Sequence, residues 1–144
     1  METWELNEKK KEYLNGYKDA EKREKRILEE IQQLRLDTMF QSLQNDGMPK
    51  GSNQGDLSDY MARHDDLMRQ LIHEKTQALS KKQEIRRAIN KLKKEEEIDI
   101  LTRKYILKQT WETIAEEIEC SRNTVFRIHG RALENFEIPE NGTV

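Results

Sequence analysis

Two apolar seams with coiled-coil spacing limit this chain more than any other feature. From Tyr13, the positions Tyr13, Tyr17, Ala20, Glu24, Ile27, Ile31, Leu34 and Thr38 follow one another in alternating steps of four and three. That step keeps side chains on one edge of an α-helix. A second seam runs through Leu57, Tyr60, His64, Leu67, Leu71, Glu74, Ala78, Lys81, Ile85, Ala88 and Leu92. Between them, "NDGMPKGSNQGD" at 45–56 has the glycines and proline that stop a helix, and Asp56 is placed to N-cap the next one. At ~1.5 Å per residue the helices would be about 45 and 60 Å long, folding back on each other about the turn. This predicts Ile31 near Leu71, Tyr17 near Ile85 and Glu24 within a turn of Lys81, the polar seam positions fixing register.

Composition supports extended helices over a compact core, with 34% hydrophobic and 38% charged residues. The fold class predicted is all-α: a long antiparallel helical hairpin or coiled-coil stalk, then a small C-terminal unit. Two arrangements satisfy the seams, an intramolecular hairpin and a dimer. Met61, Met68, Ile72, Leu79 and Ile89 widen the apolar edge of the second helix beyond its heptad. A single partner helix cannot cover that width, so a homodimer or higher homo-oligomer is expected.

A formal net charge of −2 announces neither a nucleic-acid nor a membrane protein, so such a role must rest on local charge. "KKQEIRRAINKLKK" at 81–94 is strongly basic, either as the solvated face of a helix or as a surface for phosphate or polymerase. The single cysteine, Cys120, excludes an internal disulfide and a cysteine-only zinc site, which fits a reducing cytoplasm. No apolar run approaches ~18 residues, and "METWELNEKKKEYLN" lacks the apolar core of a signal peptide. The expectation is a cytoplasmic protein with no membrane partner.

The rhythm changes after "EEE" at 95–97. "IDILTRKYILK" at 98–108 presents Ile98, Leu101, Tyr105 and Ile106 as the apolar face of a helix opening the C-terminal unit. Thr110 can cap a short helix with Trp111, Ile114, Ala115 and Ile118 apolar, "ECS" at 119–121 makes a tight turn, and Ser121 can cap the next helix. That helix has a core face of Val125, Ile128, Ala132, Leu133 and Phe136. Its opposite face gathers Asn123, Arg127, Gly130, Arg131 and Glu134, flanked by Thr124 and read as free of apolar residues. A close crossing at Ala115, a short turn and a second helix exposing Arg and Asn make a helix-turn-helix. Arg can contact guanine through two hydrogen bonds and Asn adenine, while hydroxyls and first-turn amides suit phosphate. A mid-helix glycine costs roughly 1 kcal/mol relative to Ala, so Gly130 on the exposed face suggests close approach to a groove or partner.

"LTRKYILKQTWETIAEEIECSRNTVFRIHGRALENF" resembles the region 4 helix-turn-helix of bacterial sigma factors. The whole chain is similar to RinA/ArpU-type late-gene regulators of phages and prophages of Gram-positive bacteria, including a turn such as "GMPKGS" between paired helices. The resemblance implies DNA reading by Arg122, Asn123 and Arg127, with Arg131 nearer the backbone; the hydroxyls of Ser121 and Thr124 and the exposed Gly130, read from the helix itself, complete the expected DNA-binding surface. Glu119 stands where glycine is usual and a left-handed backbone often required. Asn123 stands where sigma factors commonly carry an acid, so the target sequence does not carry over.

No constellation for catalysis, cofactor or metal is present in the sequence. "PKGSNQG" lacks the order of a phosphate-binding loop, and His64, His73 and His129, without partners at ligand spacing, read as solvated or seam histidines. The organisation expected is a stalk over 1–97, a helix-turn-helix over 98–137 and a tail over 138–144. The function expected is a non-enzymatic, sequence-specific DNA-binding regulator that activates phage or prophage late genes, with double-stranded DNA and host RNA polymerase as expected partners. The alternatives are a DNA-packaging protein like a terminase small subunit, and a coiled-coil adaptor for RNA polymerase.

Overall fold

A computed structural model of the protein describes residues 2–44 and 53–140. Its elements are α1 (Thr3–Leu14), α2 (Lys18–Gln44), α3 (Asn53–Ile89), α4 (Glu95–Leu101) running into a π-helical turn (Thr102–Ile106), α5 (Trp111–Glu117) and α6 (Arg122–Asn135). The fold is all-α, with no strand among the described residues. The turn expected at 45–56 lies, over 45–52, outside them. Residues 53–56 are already helical, so Asp56 sits inside α3 instead of capping it. One glycine, Gly55, costs only about 1 kcal/mol, too little to stop a helix of this length.

The first seam is broken where it was expected to be continuous, at Asn15–Tyr17. The Gly16 N–H turns back to the Tyr13 carbonyl at 2.9 Å. A Cβ there would lie 2.9 Å from that oxygen and 3.0 Å from Lys81 Cε, so this turn needs glycine. Tyr13 and Tyr17, on either side of it, are both fully buried.

The chain forms two compact units, Lys18–Ala78 and a second made of Met1–Tyr17 with Leu79–Val144. In the first, Arg23 pairs with Glu74 at 2.9 Å and Glu24 with Lys75 at 2.7 Å. These pairs fix the direction of the helices. From Glu24 to Gln44 and from Asn53 to Lys75 each helix runs about 30 Å, and 45–52 can span at most about 30 Å. A parallel pair would need about twice that, so α2 and α3 are antiparallel. Ala20 and Ile27 of α2 and Leu71 and Ala78 of α3 are buried. Glu24 takes Lys75, not a residue near Lys81, because Lys81 is held within its own unit by Glu84 at 3.0 Å and the Tyr13 ring, 4.5 Å from its Nζ.

The second unit has a core of Tyr13, Leu14, Tyr17, Ile85, Ala88, Ile89, Leu92, Leu101, Tyr105, Ile106, Ala132, Leu133 and Phe136. The end of α3 and all of α1 thus belong with the C-terminal helices, whereas periodicity alone placed the division at residue 97. Segment 98–108 is not one regular helix. It is α-helical to Leu101, then takes the π turn, closed by Leu107 N–H donating to Thr102 O at 2.9 Å. A π turn holds one residue more than an α turn, and Tyr105 and Ile106 both reach the core. Lys108, at φ 56°, ends the segment in the left-handed region.

Candidate nucleic-acid interface

A second cluster, Ile100, Ile114, Ala115, Val125 and Ile128, joins α4, α5 and α6, with Trp111, Ile118 and Cys120 packed against it. Two local caps set up this helix pair. Thr110 Oγ1 accepts from the Thr113 N–H at 3.1 Å, and Ser121 Oγ accepts from the Thr124 N–H at 3.2 Å. Between them Ile118, Glu119 and Cys120 turn the chain, with the Cys120 N–H donating to Ala115 O at 3.0 Å. Glu119 has φ 56°, the left-handed backbone its position called for.

The core face of α6 is as read: Val125, Ile128, Ala132, Leu133 and Phe136 are buried. The opposite face exposes Arg122, Asn123, Arg127, Arg131 and Glu134, with Gly130 half-buried among them. Beyond its chain neighbours and the backbone of its own helix turn, nothing lies within 4 Å of where a Gly130 Cβ would stand, so packing does not require glycine there. Ser121 is exposed and Thr124 half-buried, their hydroxyls 3.0 Å apart and engaged in the cap. The structure therefore brings all seven sequence-selected residues, Ser121, Arg122, Asn123, Thr124, Arg127, Gly130 and Arg131, to one helix and its cap.

The face is not wholly polar. Phe126 is 43% exposed and borders it, its ring edge-on to Trp111 at 5.2 Å and 5.8 Å from Arg122 Cζ. Its place follows from the i, i+4 row Arg122–Phe126–Gly130, which borders the polar face. Arg122 also lies 3.9 Å from Glu112 of α5. Lys104 stacks over Trp111 at 4.3 Å, adding a positive charge beside the α5–α6 pair that the motif did not indicate.

His129 is not the solvated or seam histidine that its sequence context suggested. It is buried, with Nε2 2.8 Å from the Tyr105 hydroxyl and its ring edge-on to Trp111 at 4.8 Å. Burial, with the charges of Lys11 and Lys104, pulls its pKa down to about 4, so the ring is neutral at pH 7 and can accept the tyrosine proton. Two further side chains anchor the far end of α6. Lys10 of α1 is buried and donates to the carbonyls of Leu133 and Glu134 at 2.7 and 3.2 Å, satisfying C-terminal acceptors and complementing the helix dipole. Burial lowers the Lys10 pKa, against the raising effect of Glu137 and Glu134. Buried Glu97 of α4 accepts from Asn135 Nδ2. Neither anchor has a sequence motif, because each joins residues far apart in the chain.

The basic stretch 81–94 divides in two. Lys81 and Lys82 lie over Tyr13 and Tyr17, whereas Arg86, Arg87, Lys91, Lys93 and Lys94 are exposed. Lys91, Lys93 and Lys94 line a cleft of about 450 Å³ together with Glu97 and Asn135. Among the described residues no group of three or more His, Cys, Asp or Glu side chains is placed to hold a metal, and no helix is long and apolar enough to cross a membrane.

Residues 56–137 match the profile of a family described as protein of unknown function, DUF1492. No curated protein and no solved structure matches the chain.

Proposed function

The chain belongs to the DUF1492 family, and we propose that within it this protein is a sequence-specific, DNA-binding transcriptional regulator that acts as a homodimer. One observation carries the reading: α6 buries one face in two cores and leaves Arg122, Asn123, Arg127 and Arg131 exposed along the other. A helix held this way, capped at Ser121 and preceded by a tight turn from α5, can enter a major groove without rearrangement. Arg127 and Asn123 read base edges, Arg131 meets the backbone, and the open space at Gly130 lets the helix approach closely. The likeness of 101–136 to sigma region 4 favours promoter DNA as target and host RNA polymerase as neighbour. The RinA/ArpU-type likeness makes activation of phage or prophage late genes, in the bacterial cytoplasm, the specific role.

Fluorescence titration of specific and scrambled duplexes, selected from fragmented host and phage DNA, tests this reading. Arg127→Ala should lose about 1–3 kcal/mol on the specific site and relax preference at one or two base pairs, whereas Arg131→Ala should weaken all sequences alike. Equal, sequence-independent losses for Arg127→Ala would sink the assignment. Rings of eight or more subunits would favour DNA packaging, and no DNA binding at all a polymerase adaptor.

A further inference from the structure

Within the hairpin, α3 carries a second line of residues about 100° round from its seam: Met61, Asp65, Met68, Ile72 and Lys75, again in steps of four and three. Met61 and Ile72 are 55% and 59% exposed, although large and apolar, and Met68 is half-buried between them. On α2, Leu28 and Met39 stand about 100° round from that helix's seam and are exposed too. In an antiparallel pair these offsets fall on the same side, so the apolar line of α3 is flanked there by Leu28 and Met39, with the polar Gln32 and Arg35 between them on α2. Exposed apolar residues in a line of this length mark an interface.

The order of charges says what covers it. The line on α3 pairs with itself about the level of residue 70: Asp65 and Lys75, and Met68 and Ile72, are equidistant from it. We infer that a second copy of this chain covers this side, with α3 against α3 antiparallel about a two-fold axis at that level. Met68 then meets Ile72 of the second copy, and Asp65 meets its Lys75, twice over by symmetry. A parallel pair would set Asp65 against Asp65 and Lys75 against Lys75. Lys75 already holds Glu24 at 2.7 Å with its side chain 55% exposed, and an ammonium has donors to spare for a second carboxylate. This gives the homodimer proposed above its surface and pairing, and so rests on the dimeric part of that reading but not on its DNA target.

Light scattering coupled to size exclusion, with sedimentation equilibrium for the constants, tests this on the full chain. The wild type should be a dimer at micromolar concentration, and Ile72→Glu a monomer. Asp65→Lys, which turns two attractions into two repulsions, should weaken dimerisation at least about tenfold. The double variant Asp65→Lys/Lys75→Asp should recover most of that loss. Circular dichroism separates lost pairing from lost folding, and Met61→Lys, at an exposed end of the line, serves where Ile72→Glu does not fold. A monomeric wild type at about 100 μM, a dimer indifferent to both apolar substitutions, or a double variant no better than Asp65→Lys would overturn the inference. The Arg127 titration is read separately, so failure of the dimer and failure of DNA recognition are distinguishable.

Discussion

Acidification from pH 7.5 to 4.5 should destabilise the unit that holds α6, through one ring. His129 is buried between Tyr105 and Trp111, and its pKa falls from 6.5 to about 4 through burial first and then the charges of Lys11 and Lys104. The unfolded chain takes up the imidazole proton near pH 6.5, but the folded protein resists it until about pH 4. Between those values the unfolded state holds one more proton, so stability falls as pH falls. The contribution is fully present above about pH 6.5, declines by about 1.4 kcal/mol per unit, and is gone near pH 4, a total of about 3 kcal/mol. Urea melts followed by helical circular dichroism at pH 7.5, 6.5, 5.5 and 4.5 would measure it. His129→Gln keeps an acceptor for the Tyr105 hydroxyl without the titration and should show a flatter profile from 6.5 to 4.5. A wild type as flat as the variant, or a variant as steep as the wild type, would show that the ring is not held neutral by its surroundings.

Two backbone substitutions bracket the turns. Glu119→Gly should stabilise the protein by up to about 1 kcal/mol, because the left-handed backbone at φ 56° strains a residue with a Cβ; a thermal melt showing clear destabilisation would mean that the carboxylate makes a structural contact. Gly16→Ala should cost about 1–3 kcal/mol, since its methyl would sit 2.9 Å from the Tyr13 carbonyl oxygen. An unchanged urea midpoint would show that the α1–α2 turn yields freely.

What the sequence made legible followed short-range rules. The two seams, the caps at Thr110 and Ser121, the left-handed Glu119 and the core face of α6 all depend on residues within a few positions of one another, and spacing reports them. The break at Gly16 is not legible because Tyr13 and Tyr17 keep heptad spacing across it, and the need for glycine comes from the folded backbone, where a Cβ would lie 2.9 Å from the Tyr13 carbonyl oxygen. The irregularity after Leu101 was missed because an α-helical reading already placed Tyr105 inward. Lys10 looked like one more cation in a charged helix, and its role depends on a carbonyl 123 positions away. Phe126 is legible by its i, i+4 relation to Arg122.

The contact between Lys10 and the end of α6 also sets an order of events during synthesis. The unit containing α6 is built from 1–17 and 79–144, so α1 is made well before the helices it packs with. At about 5–20 residues per second, α1 emerges several seconds before Leu133 and Glu134 exist to receive its ammonium. Meanwhile Tyr13, Leu14 and Tyr17, all fully buried at the end, have no completed core to enter. The hairpin at 18–78 can close during that wait, because its contacts need nothing made later. A nascent chain stalled before α6 should therefore expose Tyr13 and Tyr17 to a protease or chaperone, and lose that exposure only once α6 is released.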